Sequence, residues 1–412
     1  MRYTFLLYID PGTGSMLFTI LIGIITTLLF SLRKLFIRLK FLISGGKADK
    51  SRMNRVPYLI FSDSKRYWNV FEPIADEFEK RKVPLVYWTA SEDDPALKKK
   101  YDFVKCTFIG TLNHAFAKLN MMNADICLST TPGLDVYQWK RSKDVKRYVH
   151  ILHAAGDVIA YRMFGLDHYD SVLLSGQYEV DQIRELEKLR SLPAKDLQVI
   201  GLTYLDAMEK RRQNMTEKKG PFTVLLAPSW GKSSILCRYG KEIIESLIKT
   251  GFRIVIRPHP QSMISDKKIM DSLRAQYPDS ENLSWNFDND NFNVLSQSDV
   301  MISDFSGVIF DYSLVFDRPV IYADTSFDKS PYDAAWLDEP LWTFRILPSI
   351  GIPLKKEEFP DLKEIVLKAA SDRELESGRQ KAREETWQCR GESAVRAVDY
   401  LMKMHESISK ES

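Results

Sequence analysis

Three short stretches hold residues whose types and spacing suit a phosphorylated substrate. In "RIVIRPHPQ" (253–261), Arg257 and His259 follow directly on an apolar β-branched run, with Pro258 and Pro260 on either side of the histidine. The prolines hold that backbone extended. A permanent cation and a ring donor on a rigid strand exit suit an anionic phosphate; the alternative is a surface loop with a capping histidine. In "ISDFSGVIFDYSLVFDRPVIY" (302–322) an apolar strand ends at Ser303-Asp304 and a helical run opens at Ser306, Gly307 and Val308. A helix start offers N–H groups outside its own ladder and the positive end of its dipole. Taken alone, the stretch is equally an ordinary strand-to-helix connection with Asp304 or Ser306 as an N-cap. In "YVHILHAAGD" (148–157) His153 ends a strand beside the small residues Ala154-Ala155-Gly156, where it can act as a general base. His150, three residues earlier, is expected to face elsewhere and to be structural, as are His114 and His168.

Two further candidates are weaker. "LLAPSWGKSS" (225–234) contains Gly231-Lys232-Ser233, but a P-loop needs a glycine where Leu226 stands. Ser229 and Lys232 are expected only to touch an anionic substrate from that corner. The acidic turn Asp288–Asp290 reads as the cap of a short helix rather than as a metal site. No His/Cys cluster calls for a metal, so none is assigned; no cofactor is required, and a divalent cation such as Mg2+ would be an accessory.

These residues need strands that stop in register and helices that start beside them. From Val56 onward, β-branched and aromatic runs alternate with segments of helical spacing such as "NVFEPIADEFEKR" and "YEVDQIRELEKLR". That alternation is the signature of parallel sheets covered by helices. It pauses at the polar stretch 210–221 and then restarts, which predicts two Rossmann-like domains facing a cleft: 56–215 and 216–412, the latter ending in helices. Open parallel sheets bind ligands beyond the carboxyl ends of their strands, where each candidate above lies.

The chain of 412 residues is long enough for two domains and an appendage. A net charge of +3 gives no argument for nucleic acid. The four scattered cysteines form no C-x-x-C pair and fit a reducing compartment. The first 55 residues differ from the rest. Residues 11–32 carry no charge, and Arg33, Lys34, Arg38, Lys40, Lys47, Lys50, Arg52 and Arg55 follow them. The reading is one transmembrane anchor with its basic flank and the large C-terminal part in the cytoplasm, at the inner leaflet. A signal sequence or an interfacial hairpin is the alternative.

The second-half constellation, "LLAPSWGK", "RIVIRPHP" and "SDFSGVIFDYSLVFDRP", resembles the CDP-glycerol glycerophosphotransferase family, the primases and polymerases of teichoic acids. The matching positions are Arg257, His259, Pro260, Ser303, Asp304, Ser306, Phe310, Asp311, Tyr312, Arg318 and Pro319. Gly231 stands where that family has an arginine, and Gly307 where it has a second serine. In the first half, His153-Ala154-Ala155-Gly156 stands where the family has a His-Gly-Thr turn. The resemblance implies a GT-B-type fold, a CDP-glycerol or CDP-alditol donor, and a lipid-linked glycan or polyol-phosphate acceptor. It implies His153 and His259 as catalytic groups, with Arg257, Ser303, Asp304, Ser306, Gly307, Val308, Ser229 and Lys232 on the donor. Two alternatives stand beside it: a nucleotide-sugar-dependent GT-B glycosyltransferase, and a membrane-tethered polymer-binding protein without activity.

Overall fold

The computed structural model describes residues 55–215, 218, 220–323 and 327–411. The expected membrane segment lies outside the described residues. Among the described residues, no helix is long and apolar enough to cross a membrane.

Seven strands form the first sheet: β1 (Val56–Ser62), β2 (Leu85–Thr89), β3 (Val104–Phe108), β4 (Ala124–Ser129), β5 (Val145–Ile151), β6 (Ser171–Leu174) and β7 (Asp196–Val199). Six form the second: β8 (Thr223–Leu226), β9 (Arg253–Ile256), β10 (Leu283–Trp285), β11 (Val300–Ser303), β12 (Val320–Ala323) and β13 (Gly351–Leu354). Their spatial orders are 3-2-1-4-5-6-7 and 10-9-8-11-12-13, and neighbouring strands pair in parallel. Every residue of β4, β8 and β11 is buried, as expected where helices cover both faces of a parallel sheet. Each order reverses once, between β1 and β4 and between β8 and β11. Those are the points where an open sheet leaves a crevice at its carboxyl edge.

The helices earn their places by an apolar stripe. In Trp68–Lys80 the buried set is Trp68, Val70, Phe71, Ile74, Ala75 and Phe78, one face of a 3.6-residue period. The edge strand β13 is absent from the sequence reading. It is four residues long and contains Pro353, which normally argues against a strand. Here β13 pairs on one side only, with β12, so a residue without an N–H is tolerated.

The last helix, Ser393–Glu411, was expected among the helices of the second half. It lies instead against the first, on Trp68–Lys80 and β4. Ala397, Val398, Leu401 and Ile408 enter the core shared with β1 and β4, and Arg81 pairs with Asp399 at 2.5 Å. The two sheets are therefore parts of one packed unit, Val56–Ser412. Carboxylates stitch it across the middle. Asp157 accepts from the N–H groups of Trp342 (2.6 Å) and Thr343 (2.8 Å), at the start of helix Trp342–Ile350. Asp333 accepts from Phe164 N–H (2.7 Å) and pairs with Arg190.

Candidate functional site

At the β5 exit, the His153 ring packs on Tyr67, with ring centroids 4.8 Å apart. Its Nδ1 lies 3.3 Å from the Tyr161 hydroxyl, and the same hydroxyl lies 3.0 Å from Nε2 of His150. The expectation that His150 faces elsewhere is corrected here. β5 ends at Ile151, so strand alternation no longer holds at position 153, and the two rings converge on one phenol. Burial lowers His153 to about 4 and pushes fully buried His150 well below its ordinary value.

At the β9 exit, Arg257 donates from Nη1 to the Asn286 side-chain oxygen and from Nη2 to the Asp288 carbonyl, the latter at 2.9 Å. His259 Nδ1 accepts the Gln261 N–H at 3.1 Å. A neutral His259 therefore carries its proton on Nε2 and is a donor there. Its pKa falls to about 4, through burial first and then through the charges of Arg66, Arg257 and His153. His153 thus acts on His259 from the other half, as a charge that disfavours its protonation. So does Arg66, which the sequence reading missed. Arg66 sits in the single turn Lys65–Tyr67 just after β1, so the rule that ligands gather beyond strand exits could have found it.

The β11 exit departs from expectation. Ser303 and Asp304 were assigned to substrate, and both are spent on the fold. The Ser303 hydroxyl donates to the Ala227 carbonyl at 2.7 Å. One carboxylate oxygen of Asp304 accepts from Ser229 N–H (2.8 Å) and Phe305 N–H (2.7 Å); the other accepts from Ile235 N–H (3.1 Å). Asp304 thus fills the crevice between β8 and β11 and holds the first turn of helix Ile235–Thr250. The cause is burial: a carboxylate 1% exposed must be fully hydrogen-bonded. Ser229 is buried with it; its N–H is taken, while its hydroxyl has no hydrogen-bond partner. Lys232 is exposed on the turn.

Ser306, Gly307 and Val308 do open a helix. The N–H groups of Ile309 and Phe310 return to the carbonyls of Ser306 and Gly307 at 3.1 and 3.0 Å, which leaves the three preceding N–H groups outside the ladder. Gly307 has φ −57°, so the backbone there does not demand glycine. A Cβ on it would stand 3.6 Å from both Ala154 Cβ and the Ala155 carbonyl. The helix start and the His153 turn therefore lie face to face.

Beyond Phe310 the helix widens into a π turn, Asp311–Val315, a feature frequent at functional sites. Asp311 accepts from Tyr204 Oη and Asn291 Nδ2, each at 2.9 Å, while Tyr204 Oη accepts the Ala155 N–H at 3.0 Å. This chain ties the His153 turn to the second-half helix through a buried carboxyl that burial raises to about 6. Tyr312 and Arg318 are structural: both donate to the Ser298 carbonyl, and Arg318 also to Ser296 O at 2.8 Å. Asp290 accepts from Phe292 N–H at 3.0 Å and pairs with Arg211, while the N-cap position of helix Phe292–Ser296 is Asn291 without a side-chain cap, so the acidic turn does not cap the helix as expected. Among the described residues, no group of three or more His, Cys, Asp or Glu could hold a metal ion.

A family model described as CDP-Glycerol:Poly(glycerophosphate) glycerophosphotransferase matches residues 203–336. That span holds Arg257, His259, Ser306 and Asp311, and bears out the resemblance read there; His153 precedes it. Among solved structures, the chain is similar to the wall teichoic acid polymerase TagF, with 16% identity, coverage of 92% of this chain and 98% of that one, and a TM-score of 0.55. A TagF variant soaked with CDPG gives 14% identity, the same coverage and a TM-score of 0.56. A putative UDP-N-acetylglucosamine 2-epimerase from Listeria monocytogenes gives 13% identity over 86% of this chain and 97% of that one, with a TM-score of 0.55. At these identities the likeness shows the fold, an α/β architecture of GT-B type. No curated protein matches the sequence.

Proposed function

We propose that the protein transfers glycerol phosphate, or a related alditol phosphate, from its CDP derivative to a hydroxyl of a lipid-linked or polymeric acceptor and releases CMP. One observation carries this reading: the Ser306–Val308 helix start lies face to face with the His153 turn, a Cβ on Gly307 standing 3.6 Å from Ala154 and Ala155, in the half whose β9 exit carries Arg257 and His259. The family match over residues 203–336 supports the donor class.

In this reading the donor pyrophosphate sits against the Ser306–Val308 N–H groups, with Nε2–H of His259 and the two guanidinium groups around it. His153 accepts the proton of the acceptor hydroxyl. The acceptor oxygen forms its bond to the alditol-bearing phosphorus, the phosphorus–oxygen bond to CMP breaks, and CMP leaves with the electron pair. Ser303 and Asp304 shape the cleft without touching substrate. Residues 11–32 anchor the chain, and their basic flank keeps the cleft at the inner leaflet, where a lipid-linked acceptor is presented.

The test uses the full-length protein in detergent. CDP-glycerol or CDP-ribitol is expected to raise its melting temperature and to yield CMP when acceptor is added. Stabilisation by UDP-sugars alone would overturn the donor assignment.

A further inference from the structure

Building on the reading that His153 is the base, we infer that Tyr161, with His150 behind it, is a positioning residue that sets which nitrogen of His153 carries the proton. The Tyr161 hydroxyl lies between His150 Nε2 at 3.0 Å and His153 Nδ1 at 3.3 Å. Each of these contacts holds one proton, so the row can run in only two directions. If His150 donates to the phenol and the phenol to His153 Nδ1, then His153 is protonated on Nε2 and has no lone pair for an acceptor hydroxyl. If His153 Nδ1–H donates to the phenol oxygen and the phenol O–H to His150 Nε2, then His153 Nε2 is left open as a base. Catalysis requires the second direction.

The surroundings allow it. Burial holds the Tyr161 hydroxyl well above its ordinary pKa, so it keeps a proton to donate. His150 is fully buried and held neutral, so its Nε2 can accept while Nδ1 carries the proton. That Nδ1 is buried and has no hydrogen-bond partner, a cost of the kind that collects at working sites. Nothing in the Nε2 contact is shared with strand pairing, which uses only the backbone of β5. The titratable and charged groups around the row are Asp63 and Tyr67 from the β1 exit, Tyr169 packed on His150 at 5.0 Å, Glu179 acting on Tyr161, and His259 across the cleft. His259 has the opposite wiring, since Gln261 N–H occupies its Nδ1. One ring of the cleft is thus set to give a hydrogen bond and the other to take a proton.

The test is a two-bond proton–nitrogen NMR spectrum of the full-length protein labelled with 15N-histidine, with His153 identified by the signals lost in His153→Gln. Wild-type His153 is expected to show a protonated Nδ1 and a bare Nε2. In Tyr161→Phe, which keeps the ring packing, the proton is expected to move to Nε2. His150→Leu should do the same, whereas His150→Gln, whose side-chain oxygen still accepts, should keep the wild-type pattern. In the same Tyr161→Phe protein, kcat should fall about tenfold at every pH above 5 with donor KM unchanged, less than the roughly hundred- to thousandfold expected for loss of the base itself. A wild-type His153 protonated on Nε2 overturns the inference without any variant, as does a Tyr161→Phe spectrum identical to wild type. If the spectra come out as expected and no CDP-alditol yields CMP, the proton row stands and the donor assignment falls.

Discussion

In the proposed mechanism the two strand exits β5 and β9 use one residue type for opposite tasks. At the β9 exit, His259 is locked by its own neighbours: prolines on both sides fix the backbone, and the N–H two residues on occupies Nδ1. At the β5 exit, His153 has no such local partner. Its Nδ1 meets a phenol eight residues away in sequence, and that phenol answers to His150, eleven residues before it. Both rings are pulled to about 4 by burial. The difference teaches that a hydrogen-bond donor can be built from a tripeptide, whereas a base needs a partner brought in by the fold.

The largest expected effect separates the two by function. His259→Ala should weaken donor binding and lower CMP release by about a hundred- to a thousandfold, the typical cost of one preorganised donor. His153→Ala should lose transfer to a similar extent while donor affinity, read by calorimetry, stays within about twofold. Equal loss of donor affinity in both variants would erase the distinction.

Glutamine sharpens it, because it can donate a hydrogen bond but cannot take a proton at neutral pH. His259→Gln is expected to recover transfer to within about tenfold of wild type. His153→Gln should stay at the level of His153→Ala; recovery there would mean that the ring is not a base.

The pH dependence of kcat/KM tests the same point. A base lowered to about 4 remains neutral well below the ordinary histidine range. The acid limb should therefore lie near pH 4 with unit slope. His259 adds little to that limb, since protonation leaves its Nε2–H in place. A limb near 6.5 would place His153 in open solvent.

The smallest effects are on stability. Asp304→Ala strips the acceptor from the Ser229, Phe305 and Ile235 N–H groups and should cost about 3 kcal/mol in denaturant titration. Tyr204→Phe, which breaks the link between Ala155 and Asp311, should cost about 1 kcal/mol. It should also lower kcat without changing donor affinity. A Tyr204→Phe protein with full kcat would show that the two exits do not need this tie.

The amino-acid order alone was enough for the alternating strands and helices, because burial on both faces writes long apolar runs into β4, β8 and β11. It was also enough to mark Arg257, His259, Ser306 and His153, since each lies just past such a run. It misled at Ser303 and Asp304. A polar residue at a strand end has the same appearance whether it faces a ligand or closes the crevice, and burial decides between the two. It missed β13, whose proline is acceptable only at an edge, and it left the last helix with the wrong sheet, because neither an edge nor a docking partner has a local signature. Arg66, Tyr161, Tyr204 and the carboxyl of Asp311 join the candidate site for the same reason. Their roles come from distances between segments far apart in the chain, and those distances are set by the packing of the two sheets into one unit.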